Sequence, residues 1–184
     1  MEEWVDLLDT KGNYTGQRIL KSEAHQKGLF HPTVHIWFYT DTGEVLLQQR
    51  ARIKKTFPLC WDVSVAGHVS AGETIFAGAI REIKEEIGLD VVENDLKPIG
   101  VFKSVQEHHS GLVDCEFHHT FICSLKPALE SLSKQEEEVA ELLLKPIHVW
   151  EKDLFSKAPS LPYVPHSVVY YKEVISALRS ALLY

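Results

Sequence analysis

The order of apolar and polar residues divides the chain into strand-like and helix-like stretches. VDLLDTKGNYTGQRI carries β-forming residues on both sides of the turn-rich DTKGNYTG and predicts two short strands. KSEAHQKG predicts a helical turn closed by Gly28. HPTVHIWFYTDTGEVLLQQR is the clearest hairpin: residues 34–40 and 44–49 are rich in β-formers, with Asp41-Thr42-Gly43 at the turn. WDVSVAGHV reads as a further short strand or loop. Residues 98–105 and 116–125 predict strands joined through the polar QEHHSG, and residues 139–149 a strand interrupted by Pro146.

The period changes to a helical one in two places. Over residues 74–87, Phe76, Ile80, Ile83 and Ile87 share one face, while Glu82, Glu85 and Glu86 share another. Gly88 fits a left-handed helix stop, after which Leu89 can fold back onto the helix. Residues 166–183 are also amphipathic, with Val169, Val174, Ile175, Leu178 and Leu182 near helical spacing. Strands around one helix, followed by a terminal helix, predict an α+β fold or an α/β/α sandwich around a mixed β-sheet.

Charge alters the reading of the central helix. Like charges at i,i+4 weaken a helix by about 0.2–0.5 kcal/mol, and carboxylates near its C-terminus oppose the macrodipole. Three of them together suit a divalent cation, because oxygen ligands on one face are what Mg²⁺ or Mn²⁺ takes. The 184-residue chain has a net charge of −7, which argues against a general nucleic-acid surface. It does not argue against a small anionic substrate, since a bound metal reverses the local sign. A hydrophobic content of 45% supports one domain over residues 1–184. Cys60, Cys115 and Cys123 have no zinc-binding spacing, and the opening EEWVDLLD is acidic, which together predict a reduced, cytoplasmic protein. No apolar run reaches the length of a membrane span.

Gly67, Glu73 and the run Arg81-Glu82-Ile83-Lys84-Glu85-Glu86-Ile87-Gly88-Leu89 match every fixed position of the Nudix box, here residues 67–89. The chain thus resembles the Nudix hydrolases. That resemblance implies an α/β/α sandwich enzyme, a pyrophosphohydrolase acting on a nucleoside diphosphate linked to another group. It also implies that Glu85 and Glu86, often with Glu82 and the main-chain carbonyl of Gly67, hold Mg²⁺ or Mn²⁺. Arg81 and Glu73 would pair to hold the loop–helix geometry. The chemistry is sound on its own terms. Metal ions neutralise the diphosphate oxygens and lower the pKa of bound water, and a nearby carboxylate can take the water's proton. Glu86, Glu116, Glu136, Glu137 and Glu138 are candidates for that base.

A narrower resemblance covers about residues 3–170. AHQKGLFH, LLQQRARIKK, WDVSVAGH and GLVDCEFHH are similar to the isopentenyl-diphosphate isomerase branch of the same superfamily. It implies a second divalent metal held by His25, His31, His68, Asp114 and Glu116, with aspartate at 114 where the isomerases carry glutamate. It implies diphosphate contacts from Lys21, Arg50 and Lys54, and it puts Tyr163 where the isomerases carry an aromatic that shields a carbocation. The isomerase acid–base residues are missing: Ala66 replaces a cysteine before GH, and Ser104 replaces a tyrosine. The helix carboxylates, fewer in the isomerases, are complete here.

The expectation is an isomerase-like Nudix hydrolase. An isomerase with displaced residues and a non-catalytic nucleotide-binding domain are the alternatives. The expected partner is a small phosphorylated substrate, with no nucleic acid and no membrane; homodimers are common in related proteins. His35, His108, His109, His118 and His119 read first as packed or surface histidines, although His118 and His119 lie close to Glu116 in sequence. Trp37, Phe38, Phe57, Tyr163 and Tyr170 read as core rather than base-stacking residues.

Overall fold

The structure is a computed structural model and describes residues 3–108 and 111–183; the histidine at 109 lies outside the described residues. In chain order the strands are Trp4–Leu8 (β1), Tyr14–Leu20 (β2), His31–Tyr39 (β3), Glu44–Arg50 (β4), Trp61–Asp62 (β5), Val65–His68 (β6), Lys97–Glu107 (β7), Val113–Ser124 (β8) and Val139–Pro146 (β9). The helices are Lys21–Lys27 (α1), Ile75–Ile87 (α2), Ile147–Leu154 (α3) and Val168–Ala181 (α4).

β1 and β2 form the expected antiparallel pair around a turn in which the Asp9 carboxylate accepts from the backbone of Lys11 and Asn13. The main sheet is mixed, in the order β5-β4-β3-β8-β7, with β3 and β8 parallel. The hairpin expected over residues 34–49 is only begun. Its turn closes through a Thr40 N–H to Glu44 carbonyl bond of 2.9 Å, but β3 and β4 pair only at Tyr39 and Val45. β4 then runs along β9, and β6 takes the free edge of β3, from Thr33 opposite His68 to Ile36 opposite Val65. Each strand satisfies its backbone groups on a partner distant in sequence, which local β-propensity does not reveal. The parting strands leave a cleft lined by Arg50 of β4 and by Ala66, Gly67 and His68 of β6.

The strand expected over residues 139–149 also differs. It ends at Pro146 and passes directly into α3. A proline lacks the N–H that a ladder uses but sits at the start of a helix without loss.

Alternation along β3 sorts the core into two layers. Val34, Ile36 and Phe38 pack with Ile83 and Ile87 of α2, while Trp37 packs with Trp150 of α3 and Tyr170, Tyr171 and Val174 of α4. Helices thus cover both faces of the sheet, the α/β/α sandwich expected. Trp37, Phe38 and Tyr170 are core residues. Among the described residues no helix is long and apolar enough to cross a membrane.

Candidate active site

Helix α2 begins where the Thr74 hydroxyl accepts from the Ala77 N–H and ends at Gly88, a left-handed residue with φ 72°. Between these caps the apolar stripe is buried as expected, but so are two of the three carboxylates. Glu82 is 8% exposed and Glu86 3%, while the Glu85 side chain is half exposed. Glu82 lies against the backbone of Gly67, so close that a Cβ there would have to displace the Glu82 carboxylate. Glu86 accepts from Gln48 Nε2 at 3.1 Å and from the Ala66 N–H at 3.4 Å. Burial, reinforced by Glu3 and Glu85 against the pull of Arg81, pushes the Glu82 carboxyl up to about 7. Burial and the neighbouring Glu82 charge push Glu86 well above the ordinary carboxylate range.

Arg81 binds this region together. Its Nε and one terminal nitrogen donate to Glu73 at 3.0 and 2.9 Å, and that same nitrogen donates to the His68 carbonyl at 2.9 Å. The other terminal nitrogen reaches Glu82 at 2.8 Å and Glu85 at 3.0 Å. The guanidinium therefore ties the loop before α2 to the helix.

The second group comes from four elements: His25 on α1, His31 on β3, His68 on β6 and Glu116 on β8. Their ligand atoms all lie within 4.8 Å of one another. His25 Nε2 is 3.1 Å from His68 Nε2, and Glu116 Oε1 is 3.3 Å from His68 Nε2 and 3.6 Å from His31 Nε2. Ligands about 2.1 Å from one ion stand roughly 3.0–3.4 Å apart, so this spacing fits a divalent cation. His31 donates from Nδ1 to the Leu29 carbonyl at 2.8 Å, leaving its buried Nε2 without a partner and with a lone pair toward the cluster. Burial alone would raise Glu116, but the imidazoles packed around it, His31, His68 and His118, outweigh it and hold the carboxyl well below its usual range.

Asp114, the fifth expected ligand, is not in this convergent set. Its oxygens lie 2.7 Å from His25 Nδ1 and 2.7 Å from His108 Nε2, which places it behind His25 on the side away from the shared centre. A carboxylate there orients a ligating imidazole and raises its basicity.

One cleft of about 1020 Å³ is lined by both groups, apart from the fully buried His31. Lys21, Arg50 and Lys54 line it, and each is paired: Lys21 with Glu3, Arg50 with Asp62 and Lys54 with Glu138. Glu137, Glu138 and Phe57 line the cleft as well; Glu136, Ser104 and Tyr163 do not. The Tyr163 hydroxyl instead donates to Asp153 at 2.7 Å and accepts from Lys145 at 2.9 Å.

The histidines given a packed reading divide differently. His108 backs Asp114, and His119 sits on the opposite face of β8 from Glu116. His35, His118 and His166 line the floor of the cleft. His166 pairs with Asp62 at 2.8 Å, and neither residue was legible as part of a site. For His35 and His118 the sequence signal was alternation: His31, Thr33 and His35 share one face of β3, as Glu116 and His118 share one face of β8.

The Nudix domain family model matches residues 29–162. An uncharacterized Nudix hydrolase of Clostridium acetobutylicum is 34% identical over 204 residues, covering 96% of this chain and 97% of its own length. An isopentenyl-diphosphate Delta-isomerase of Nocardia farcinica is 33% identical over 122 residues, covering 66% of this chain and 68% of its own. Among solved structures, DR0079 from Deinococcus radiodurans superposes with a TM-score of 0.64 at 16% identity, over 97% of this chain and 98% of that one, a likeness of fold. With the family match spanning most of its length and a relative alike from end to end, the chain belongs to the Nudix family and is a Nudix pyrophosphohydrolase.

Proposed function

We propose that the chain cleaves the diphosphate linkage of a small nucleotide or nucleoside diphosphate derivative, with Mg²⁺ or Mn²⁺ at Glu82, Glu85, Glu86 and the Gly67 carbonyl. The observation that carries this reading is the burial of Glu82 and Glu86 together on one helix face, with Glu82 against Gly67. Two buried carboxylates are costly unless a cation joins them. When bound, such a cation supplies charge neutralisation at the diphosphate and a water of lowered pKa.

The chain's own residues supply the rest. Lys21, Arg50 and Lys54 line the cleft and would turn from their carboxylate partners to the diphosphate oxygens. Glu137 and Glu138 line the same cleft and are available to take a proton from the attacking water. Arg81 and Glu73 hold the loop–helix geometry. His25, His31, His68 and Glu116 would hold a second divalent ion, with Asp114 steering His25.

The histidine cluster also favours a second reading, isopentenyl-diphosphate isomerisation. Against it stands Ala66, whose methyl group can neither give nor take a proton, and Ser104, which does not line the cleft. Isomerisation must protonate one carbon and deprotonate another, and each transfer needs a positioned acid or base.

The test is a Mg²⁺- or Mn²⁺-dependent screen of nucleoside diphosphates, triphosphates, sugar nucleotides, dinucleotides and prenyl diphosphates. Wild-type protein should release phosphate or a nucleoside monophosphate from at least one nucleotide. Glu86→Gln keeps the side-chain shape and should fold normally, yet lose at least about a hundredfold in turnover. Activity of that variant within a factor of about three of wild type would remove Glu86 from the metal cradle. Isomerisation without any hydrolysis would replace this reading with the second.

A further inference from the structure

We propose that His35 and His118 form a subsite at the floor of the cleft that takes the hydroxyls of a sugar attached to the diphosphate, and so selects against a prenyl chain. This rests on the hydrolase reading for the diphosphate and goes beyond it to the group the diphosphate carries.

The two imidazoles stack on each other with centroids 4.0 Å apart and planes 18° apart. Each covers one face of the other, and the ring nitrogens, which form hydrogen bonds, lie at the edges. Their hydrogen-bond partners assign the protons. Trp37 Nε1 donates to the Tyr170 hydroxyl at 2.9 Å, and that hydroxyl lies 2.7 Å from His35 Nδ1. That arrangement favours the tyrosine proton toward His35 Nδ1, and with it the tautomer in which His35 Nε2 carries the proton and is a donor. His118 Nδ1 faces two oxygens, Thr33 Oγ1 at 2.7 Å and Glu116 Oε2 at 3.6 Å, which favours the proton on Nδ1. His118 Nε2 is then an acceptor, and it is buried with no partner in a residue only 4% exposed.

A donor and an unmet acceptor on adjacent rings match a hydroxyl, which both gives and takes a hydrogen bond. A hydrocarbon chain would leave both nitrogens unpaired. The surroundings agree. Ala66 is paired across the sheet with His35, and its methyl group leaves the floor open. His166 closes one side, with its ring centroid 5.4 Å from His35 and 5.9 Å from His118. Glu116 contacts His118 through one oxygen and the His31–His68 cluster through the other, so the subsite adjoins the group that would face the diphosphate.

The experiment compares kcat/KM for ADP, 2′-deoxy-ADP, 3′-deoxy-ADP and isopentenyl diphosphate with Mg²⁺. ADP should exceed at least one deoxy analogue by at least about tenfold, and isopentenyl diphosphate by more. His118→Phe retains a ring to stack on His35 but removes both nitrogens, and should shrink the ADP-to-deoxy ratio to within about threefold; His118→Gln, with an acceptor near the Nε2 position, should restore part of it. Equal rates for ADP and both deoxy analogues, or an unchanged ratio in a folded His118→Phe, would overturn the subsite. Should that variant not fold, the wild-type ratios decide alone. If wild type cleaves none of these compounds, the hydrolase reading fails separately. The subsite is then judged by calorimetry with α,β-methylene-ADP and its 2′,3′-dideoxy form: at least about tenfold tighter binding of the first sustains it, and equal binding overturns it.

Discussion

A Cβ on Gly67 would lie 1.9 Å from Glu82 Cδ and 2.3 Å from each of its oxygens. Since the obstructed atoms are the end of a flexible side chain, Gly67→Ala should fold with Glu82 pushed aside. We expect kcat to fall about a hundredfold, the cost of misplacing a group by about 1 Å, with the thermal midpoint within about 3 °C of wild type. Unchanged turnover would mean that the close contact is incidental. At this scale the sequence was informative wherever spacing along one segment carries the chemistry, as with Gly67, Arg81 and the helix glutamates. It was silent on the burial of Glu82 and Glu86, because their helical spacing alone fits a solvated face equally well.

The end of α2 depends on one conformation. Gly88 has φ 72°, and a side chain there would lie 2.8 Å from Ser133 Cβ and 3.3 Å from the Ser133 carbonyl oxygen. The same loop caps the helix: Ser133 and Gln135 donate to the carbonyls of Ile87 and Glu86, both at 3.0 Å. Gly88→Ala should therefore destabilise the protein by about 1–2 kcal/mol, read as a lower urea midpoint. A midpoint equal to wild type would show that the loop moves aside freely. The expected helix began one residue early, at Thr74, which is the N-cap of α2; the C-terminal end of α2 was legible, since Gly88 is a local cap signal. The helix α3 was not, because the apolar run from Val139 continues across Pro146 without a change of pattern. The partners of β4 were not legible either, because a turn at Gly43 signals adjacency but does not say how long two strands stay together.

Across the whole molecule, Asp62 joins β4, β5 and the segment before α4. It pairs with Arg50 at 3.2 Å and His166 at 2.8 Å while only 4% exposed. Burial alone would raise its carboxyl, but His166 and Arg50 outweigh burial and hold it well below the usual carboxylate range. A depressed folded pKa contributes stability that is fully present above the unfolded value of about 3.9 and is lost as pH falls through the folded value. The wild-type urea midpoint should therefore drop between about pH 5 and pH 2.5. Asp62→Asn should be about 3 kcal/mol less stable at neutral pH and flatter across that acid window. Parallel pH curves for the two proteins would show that Asp62 does not govern acid unfolding.

The sequence by itself determined α2, its stop at Gly88 and its carboxylates, together with the likeness that marked His25, His31, His68 and Glu116. The helix could be read because its features are written in the spacing within one segment, whereas the histidines and Glu116, on four separate elements, were marked by the family resemblance alone. Only the tertiary structure decided what those segments meet. Parallel pairing sets His31 opposite Glu116 and Thr33 opposite His118, and antiparallel pairing sets His68 opposite Thr33 and Ala66 opposite His35. Those registers move Asp114 behind His25 and turn His35 and His118 from packed histidines into the floor of a cleft. A slip of one residue between β3 and β8 would send Glu116 and His118 to the other face relative to His31 and His35, and that register depends on contacts between residues more than eighty apart in sequence.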